Sequence, residues 1–235
     1  MTTFALVHGA WHGAWCWERL IPLLEQRGHQ VIAPELPSDD PAASFEDYAD
    51  VVCAALDDGS AGDDVVLVGH SLGGHTIPLV AARRPVRHLV YLAALVPEIG
   101  RSLRDQMRAD PEMLNRMSLQ ALSRPDEQRR NTWIDEELTC ALIFGDAEAE
   151  AAHAAFARLR PQALNPYASP FPLAQFPLTD RTYVVCTGDQ MVNPAWSRQV
   201  ARERLDARLV ELPGDHSPAL SRPTDLADIL LGVAG

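Results

Sequence analysis

Residues 63–74 read DDVVLVGHSLGG. Residues 65–69 form a continuous apolar run, and an apolar run this short, bounded by acidic residues and a glycine, predicts a strand buried on both faces. A helical pattern follows from about 72 to 83. Gly69-His70-Ser71-Leu72-Gly73 between them fits G-x-S-x-G. That strand-to-helix context holds the central serine in a strained turn with its hydroxyl exposed, and the glycines let strand and helix approach closely. A serine hydroxyl is a weak nucleophile at neutral pH, so the motif demands a base and an anion that orients the base.

Outward from this stretch the chain alternates strands and helices. Strands are expected at 3–8, 30–33, 88–95, 182–187 and 207–212. Helices are expected at 18–27, 45–56, 194–204 and 224–233. Gly28 stops the first of these, and Ser44 with Asp47 opens the second in the manner of a capping box. Continuous apolar strands separated by helices imply a parallel sheet covered on both faces. The alternation breaks between Pro97 and Thr179, where helical patterns dominate and no strand is expected. Asp146 is placed to cap a helix whose Ala149, Ala152, Phe156 and Leu159 share a face and which ends at Arg160-Pro161. The division expected is a core of residues 1–96 and 180–235, with residues 97–179 inserted after the fourth strand as a helical lid.

The order of elements also nominates the partners of Ser71. In a strand–helix scaffold of this kind the base comes last in the chain, from the loop after the final strand. His216 lies there, in Pro213-Gly214-Asp215-His216. The orienting carboxylate should end the preceding strand, which selects Asp189. Asp215 is adjacent to the base in sequence, and Asp180 precedes its strand at the opposite end of the sheet. The backbone N–H of Leu72, the residue after the nucleophile, is a candidate oxyanion donor. Candidate walls of a substrate pocket are Trp11, His70, Trp133, Phe144 and His153.

Composition excludes other classes. The chain has 235 residues, 47% of them hydrophobic and 22% charged, enough for one globular domain with a sizeable core. The net charge is −12, which argues against nucleic acid or an anionic membrane as partner. No apolar run approaches the roughly 20 residues a membrane helix needs. The opening residues lack a basic stretch of the signal-peptide type. Cys16, Cys53, Cys140 and Cys186 are scattered without metal-ligand spacing, so reduced thiols in a cytoplasmic protein are expected, and no metal or organic cofactor is called for.

These residues place the chain among proteins it resembles, those with the α/β-hydrolase fold. More narrowly it resembles the branch of plant methyl esterases, S-hydroxynitrile lyases and bacterial esterase relatives. VHGAWHGAWCW (7–17), GHQVIAPELP (28–37), VVLVGHSLGG (65–74) and the Gly-Asp-His of the last loop carry the likeness, while the inserted segment matches loosely around 157–161. The resemblance implies a six-stranded parallel sheet, the Ala10 N–H as second oxyanion donor, and Asp189 as the acid, five residues before Pro194. Relatives are often dimers, so a homodimer is a possibility the resemblance raises. The branch's lyases carry Thr at the position of Gly9 and Lys after the catalytic His, where this chain has Ser217. The expected activity is therefore hydrolysis of a small to medium, largely apolar carboxylic ester through an acyl-enzyme. The alternatives are a hydroxynitrile lyase or another C–C-cleaving enzyme on the same scaffold, and a non-catalytic ligand-binding homologue.

Overall fold

The structure, a computed structural model, describes residues 1–235. Six parallel strands form the central sheet: β1 (Thr3–Val7), β2 (Gln30–Ile32), β3 (Val65–His70), β4 (His88–Leu92), β7 (Asp180–Cys186) and β8 (Arg208–Leu212), in the order β2-β1-β3-β4-β7-β8. Residues 65–70 are all buried, because strands in the middle of such a sheet are covered above and below. Alternation along each strand divides the interior in two. Ala5, Val7, Val65, Leu67, Leu89 and Tyr91 face one core. Phe4, Leu6, Val66, Val68, Val90 and Leu92 face the other. The first core is closed by α2 (Phe45–Asp58), α3 (Ile77–Ala81) and α8 (Pro194–Glu203). The second is closed by α1 (Ile21–Glu25), α9 (Pro218–Ser221), α10 (Pro223–Ala234) and Trp17.

Local chemistry sets where elements begin and end. At the start of α2, Asp47 N–H donates to Ser44 Oγ at 3.3 Å and Ser44 N–H donates to Asp47 Oδ2 at 2.7 Å, so the capping box is reciprocal. The expected helix over 72–83 is interrupted. A 3₁₀ segment, Ser71–His75, precedes α3, which has Pro78 in its first turn. Proline has no N–H to donate back to the preceding turn, so one continuous α-helix through this point is not available. The expected helix over 18–27 is shortened instead: a 3₁₀ turn at 14–17 precedes it, and α1 runs only from Ile21 to Glu25, with Pro22 in its first turn.

The stretch between β4 and β7 holds α4 (Leu103–Ala109), α5 (Ser118–Ala121), α6 (Glu136–Ile143) and α7 (Ala149–Phe156). It also contains strands, contrary to expectation: β5 (Arg130–Asn131) and β6 (Gln162–Ala163) pair antiparallel, Asn131 opposite Gln162. Two-residue strands leave no periodicity to read. Asp146 does not cap α7, whose N-cap is Glu148. The Asp146 N–H is instead donated to Asp215 Oδ2 at 3.0 Å.

Two glycines of the motif are required by proximity. A Cβ on Gly73 would lie 2.6 Å from the Val7 carbonyl oxygen, and one on Gly69 would lie 2.8 Å from that of Gly73. Gly73→Ala should therefore lower Tm by about 5 °C through overpacking. Gly62→Ala, where an added Cβ meets nothing within 4 Å, should leave Tm unchanged. Thermal unfolding of both variants checks this. A second consequence concerns His75, wholly buried in contact with Phe45 and Phe171. Burial pushes its pKa down to about 3, so between that pH and the ordinary histidine value only the unfolded chain holds the proton. Stability is thus full above that ordinary value and falls as pH drops. His75→Phe should make the stability–pH slope between pH 6 and 4 shallower by about one proton, as measured by denaturant titration across pH.

Candidate active site

The site begins at the end of β3. His70 is extended (φ −87°, ψ 134°) and Ser71 is left-handed, at φ 51°. A side chain in that conformation is sterically disfavoured, by roughly 1–2 kcal/mol. The Ser71 carbonyl accepts a hydrogen bond from Leu95 N–H at 2.9 Å, which ties the turn to the chain leaving β4. Gly9 lies directly against it: a Cβ there would come within 2.7 Å of Ser71 Cβ. Gly9 is thus needed for close approach, since it is not among the residues of positive φ.

His216 and Asp189 arrive on the loops after β8 and β7. His216 Nδ1 lies 2.8 Å from Asp189 Oδ2, and the two side chains are each 2% exposed. The other carboxylate oxygen, Oδ1, accepts from Met191 N–H at 2.7 Å and Val192 N–H at 2.9 Å. Two amides therefore fix one oxygen and leave the other for the imidazole. An acceptor at Nδ1 selects the tautomer with its proton there and the Nε2 lone pair free. His70 Nε2 donates to the His216 carbonyl at 2.7 Å, so His216 is held through its backbone as well. Asp215 serves a different purpose. It accepts from Ser217 N–H at 3.0 Å, Ser221 Oγ at 2.8 Å and Asp146 N–H, bracing the last loop against the inserted segment. Asp180 lies at the opposite end of β7.

The turn after β1 is pinned one peptide at a time. His8 Nδ1 donates to the Gly9 carbonyl at 2.8 Å, and His12 Nδ1 donates to that of Ala10, also at 2.8 Å. Since Gly9 C=O and Ala10 N–H share a peptide plane, the first bond turns the Ala10 N–H the opposite way. That N–H donates to no other group of the protein. His8 Nε2 accepts from Leu36 N–H at 3.1 Å, which requires a neutral ring, and burial holds its pKa down despite Glu35 nearby. Burial likewise pushes His12 down to about 3 and His70 well below the ordinary range. Leu72 sits in the first turn of the 3₁₀ segment, where a backbone N–H has no partner within the helix.

The pocket candidates divide. Trp11 and Trp133 meet edge-to-face at 5.1 Å, and Trp11 Nε1 donates to Asn131 Oδ1 at 3.1 Å. Phe144 packs against His12 at 5.9 Å, and the two line a small cavity with Trp15, Trp17, His70 and Ser217. His153 is a correction: its side chain is 72% exposed and bound to Glu136 on the outside of the molecule. On α7 the small Ala152 and Ala155 are buried, which turns His153 toward water. Sequence reasoning missed the roles of His8 and His12. The one available signal was that each lies within two residues of a carbonyl of the turn, in reach of a local side-chain bond. Asn131 gave no signal at all. No group of three or more His, Cys, Asp or Glu side chains is arranged to hold a metal ion, and no helix is long and apolar enough to cross a membrane.

Comparison with known proteins agrees with this architecture. A family model described as "Alpha/beta hydrolase family" matches residues 4–229. The chain is 28% identical to a probable esterase of rice (Oryza sativa), covering 98% of this chain and 96% of that protein. It is 28% identical, with the same coverage, to salicylic acid-binding protein 2 of tobacco (Nicotiana tabacum). Among solved structures it is similar to a pyrethroid hydrolase from Sphingobium faniae, with TM-score 0.83, 28% identity and coverage of 99% of this chain and 97% of that one. With the parallel sheet, the serine turn and a family match over nearly its whole length, the chain belongs to the alpha/beta hydrolase family.

Proposed function

We propose that the protein hydrolyses a small to medium, largely apolar carboxylic ester by a Ser71–His216–Asp189 mechanism. The observation that carries this reading is the buried His216–Asp189 hydrogen bond on the same sheet edge as a left-handed Ser71. Ser71 Oγ attacks the ester carbonyl carbon while His216 Nε2 takes its proton. Asp189 holds the tautomer and stabilises the imidazolium. The oxygen that gains charge accepts hydrogen bonds from Ala10 N–H and Leu72 N–H, each such donor being typically worth about 3–4 kcal/mol in the transition state. Collapse of the intermediate breaks the bond to the alcohol, which leaves with the proton from His216. Water, deprotonated by His216, then releases the acid and restores Ser71.

Several observations support the details. Trp11, Trp133 and Phe144 are buried aromatic groups close to the turn, suited to an uncharged substrate. Residues 97–179 act as the lid that carries the last two, and His153 has no part in the pocket. Relatives named as a probable esterase, a pyrethroid hydrolase and a carbendazim hydrolyzing esterase support an ester as substrate. The lyase alternative is disfavoured by Gly9, since a side chain there would press on Ser71 at 2.7 Å, and by Ser217 in place of a lysine. The acidic balance leaves a small molecule rather than nucleic acid as partner. Four free cysteines suit a reducing compartment such as the cytoplasm.

Ser71→Ala should fold normally and lose p-nitrophenyl acetate hydrolysis almost entirely. Turnover at the parent rate in that variant would remove Ser71 from the mechanism. Asp189→Asn should keep the fold and lower kcat by about 10⁴, because the amide favours the wrong imidazole tautomer. Cyanide release from mandelonitrile, with no ester hydrolysis, would instead favour the lyase. Failure of a fluorophosphonate to label Ser71 would favour a binding protein.

A further inference from the structure

Trp11 is the residue after the proposed oxyanion donor, and its backbone is left-handed, at φ 61°. For a bulky side chain this is an unfavourable conformation that persists only when surrounding contacts over-determine it. Those contacts come from far along the chain. Asn131 Oδ1 accepts the indole N–H at 3.1 Å, from 120 residues away in sequence. Arg160 N–H donates to the Trp11 carbonyl at 2.7 Å. The Trp133 ring meets the indole edge-on at 5.1 Å.

All three contacts are delivered by one small unit. Asn131 is paired with Gln162 in the β5–β6 ribbon, Trp133 follows β5 by two residues, and Arg160 precedes β6 by two. The ribbon is anchored to the core in turn, since the Arg160 guanidinium binds Glu35 and Asp39, the latter at 2.6 Å. A tryptophan that merely walled a pocket would need neither a left-handed backbone nor both its carbonyl and its indole N–H capped from the same ribbon. Release of the ribbon would free Trp11 to return to negative φ, and rotation there moves the Ala10–Trp11 peptide against the neighbouring Gly9–Ala10 peptide that carries the Ala10 N–H.

We propose that the β5–β6 ribbon acts on the reaction through Trp11, with Asn131 as a positioning residue: it holds the turn after β1 in the one conformation that aims the Ala10 N–H at the reacting oxygen. The inference rests on the hydrolase reading above and adds to it a requirement for the inserted segment in the chemical step itself.

The test compares Asn131→Leu, which removes the acceptor, with Asn131→Asp, which keeps an oxygen for the indole. Trp11→Phe and the Trp11→Phe/Asn131→Leu double variant complete a cycle. Each is assayed for kcat and KM on p-nitrophenyl acetate and for Ki of a trifluoromethyl ketone, whose adduct with Ser71 places an oxyanion on the same donors. Asn131→Leu should lower kcat about tenfold with KM nearly unchanged, and raise Ki by a similar factor. Asn131→Asp should restore most of the rate, and the double variant should be no worse than either single one. A rise in KM at constant kcat, an unchanged Ki, or losses that simply add in the double variant would overturn the proposal. Ser71→Ala assayed alongside separates the two readings. If it is inactive, hydrolysis stands whatever the Asn131 variants do; if it turns over like the parent, the hydrolase reading and the clamp fall together.

Discussion

The left-handed backbone at Ser71 is the constraint on which the rest of the site depends. It turns the chain sharply out of β3 into the 3₁₀ segment, and glycines stand where its neighbours come closest. Gly69 and Gly73 lie against each other, Gly73 lies against β1, and Gly9 lies against the serine itself. Leu95 N–H caps the Ser71 carbonyl from the far side. Three separate segments thus meet at one strained residue, so the turn after β1, the end of β3 and the exit of β4 are positioned by a single steric requirement.

Around that point the electrostatics are simple. His8, His12 and His70 are buried and held neutral, each using a ring N–H to fix a carbonyl: those of Gly9, Ala10 and His216. His216 is hydrogen-bonded to a carboxylate that is buried with it, and that carboxylate is itself steadied by two backbone amides. A cluster of imidazoles could scatter protons among its members. Burial prevents this by making the charged form costly at His8, His12 and His70. The neutral rings act as rigid hydrogen-bonding struts.

Much of this was legible in the amino-acid sequence because it follows from order and period. Continuous apolar runs such as 65–69 mark strands buried on both faces, and a parallel sheet follows from their alternation with helices, while its six strands were what the family resemblance implied. Asp189 and His216 were nominated from the loops after the last two strands, and the structure brings those two side chains within 2.8 Å of each other. What escaped depends on contacts between distant segments. The β5–β6 ribbon is too short for any periodicity, and Asn131 reaches Trp11 only because Gln162 lies opposite it. His153 stood on the expected lid helix, but helical phase alone could not say which of its faces the alanines would claim.

The division of the interior into two cores carries a consequence for how this chain tolerates change in length. Val65 and Leu67 serve one core and Val66 and Val68 the other, and Ser71 follows at a fixed parity from them. Adding or deleting one residue within β3 would exchange the two sets and present the serine to the wrong side of the sheet. The segment between β4 and β7 has no such parity, because its elements are short and joined by irregular loops. Over evolutionary time, insertions and deletions should therefore accumulate in that segment, leaving the strand lengths fixed while the surroundings of the substrate diversify.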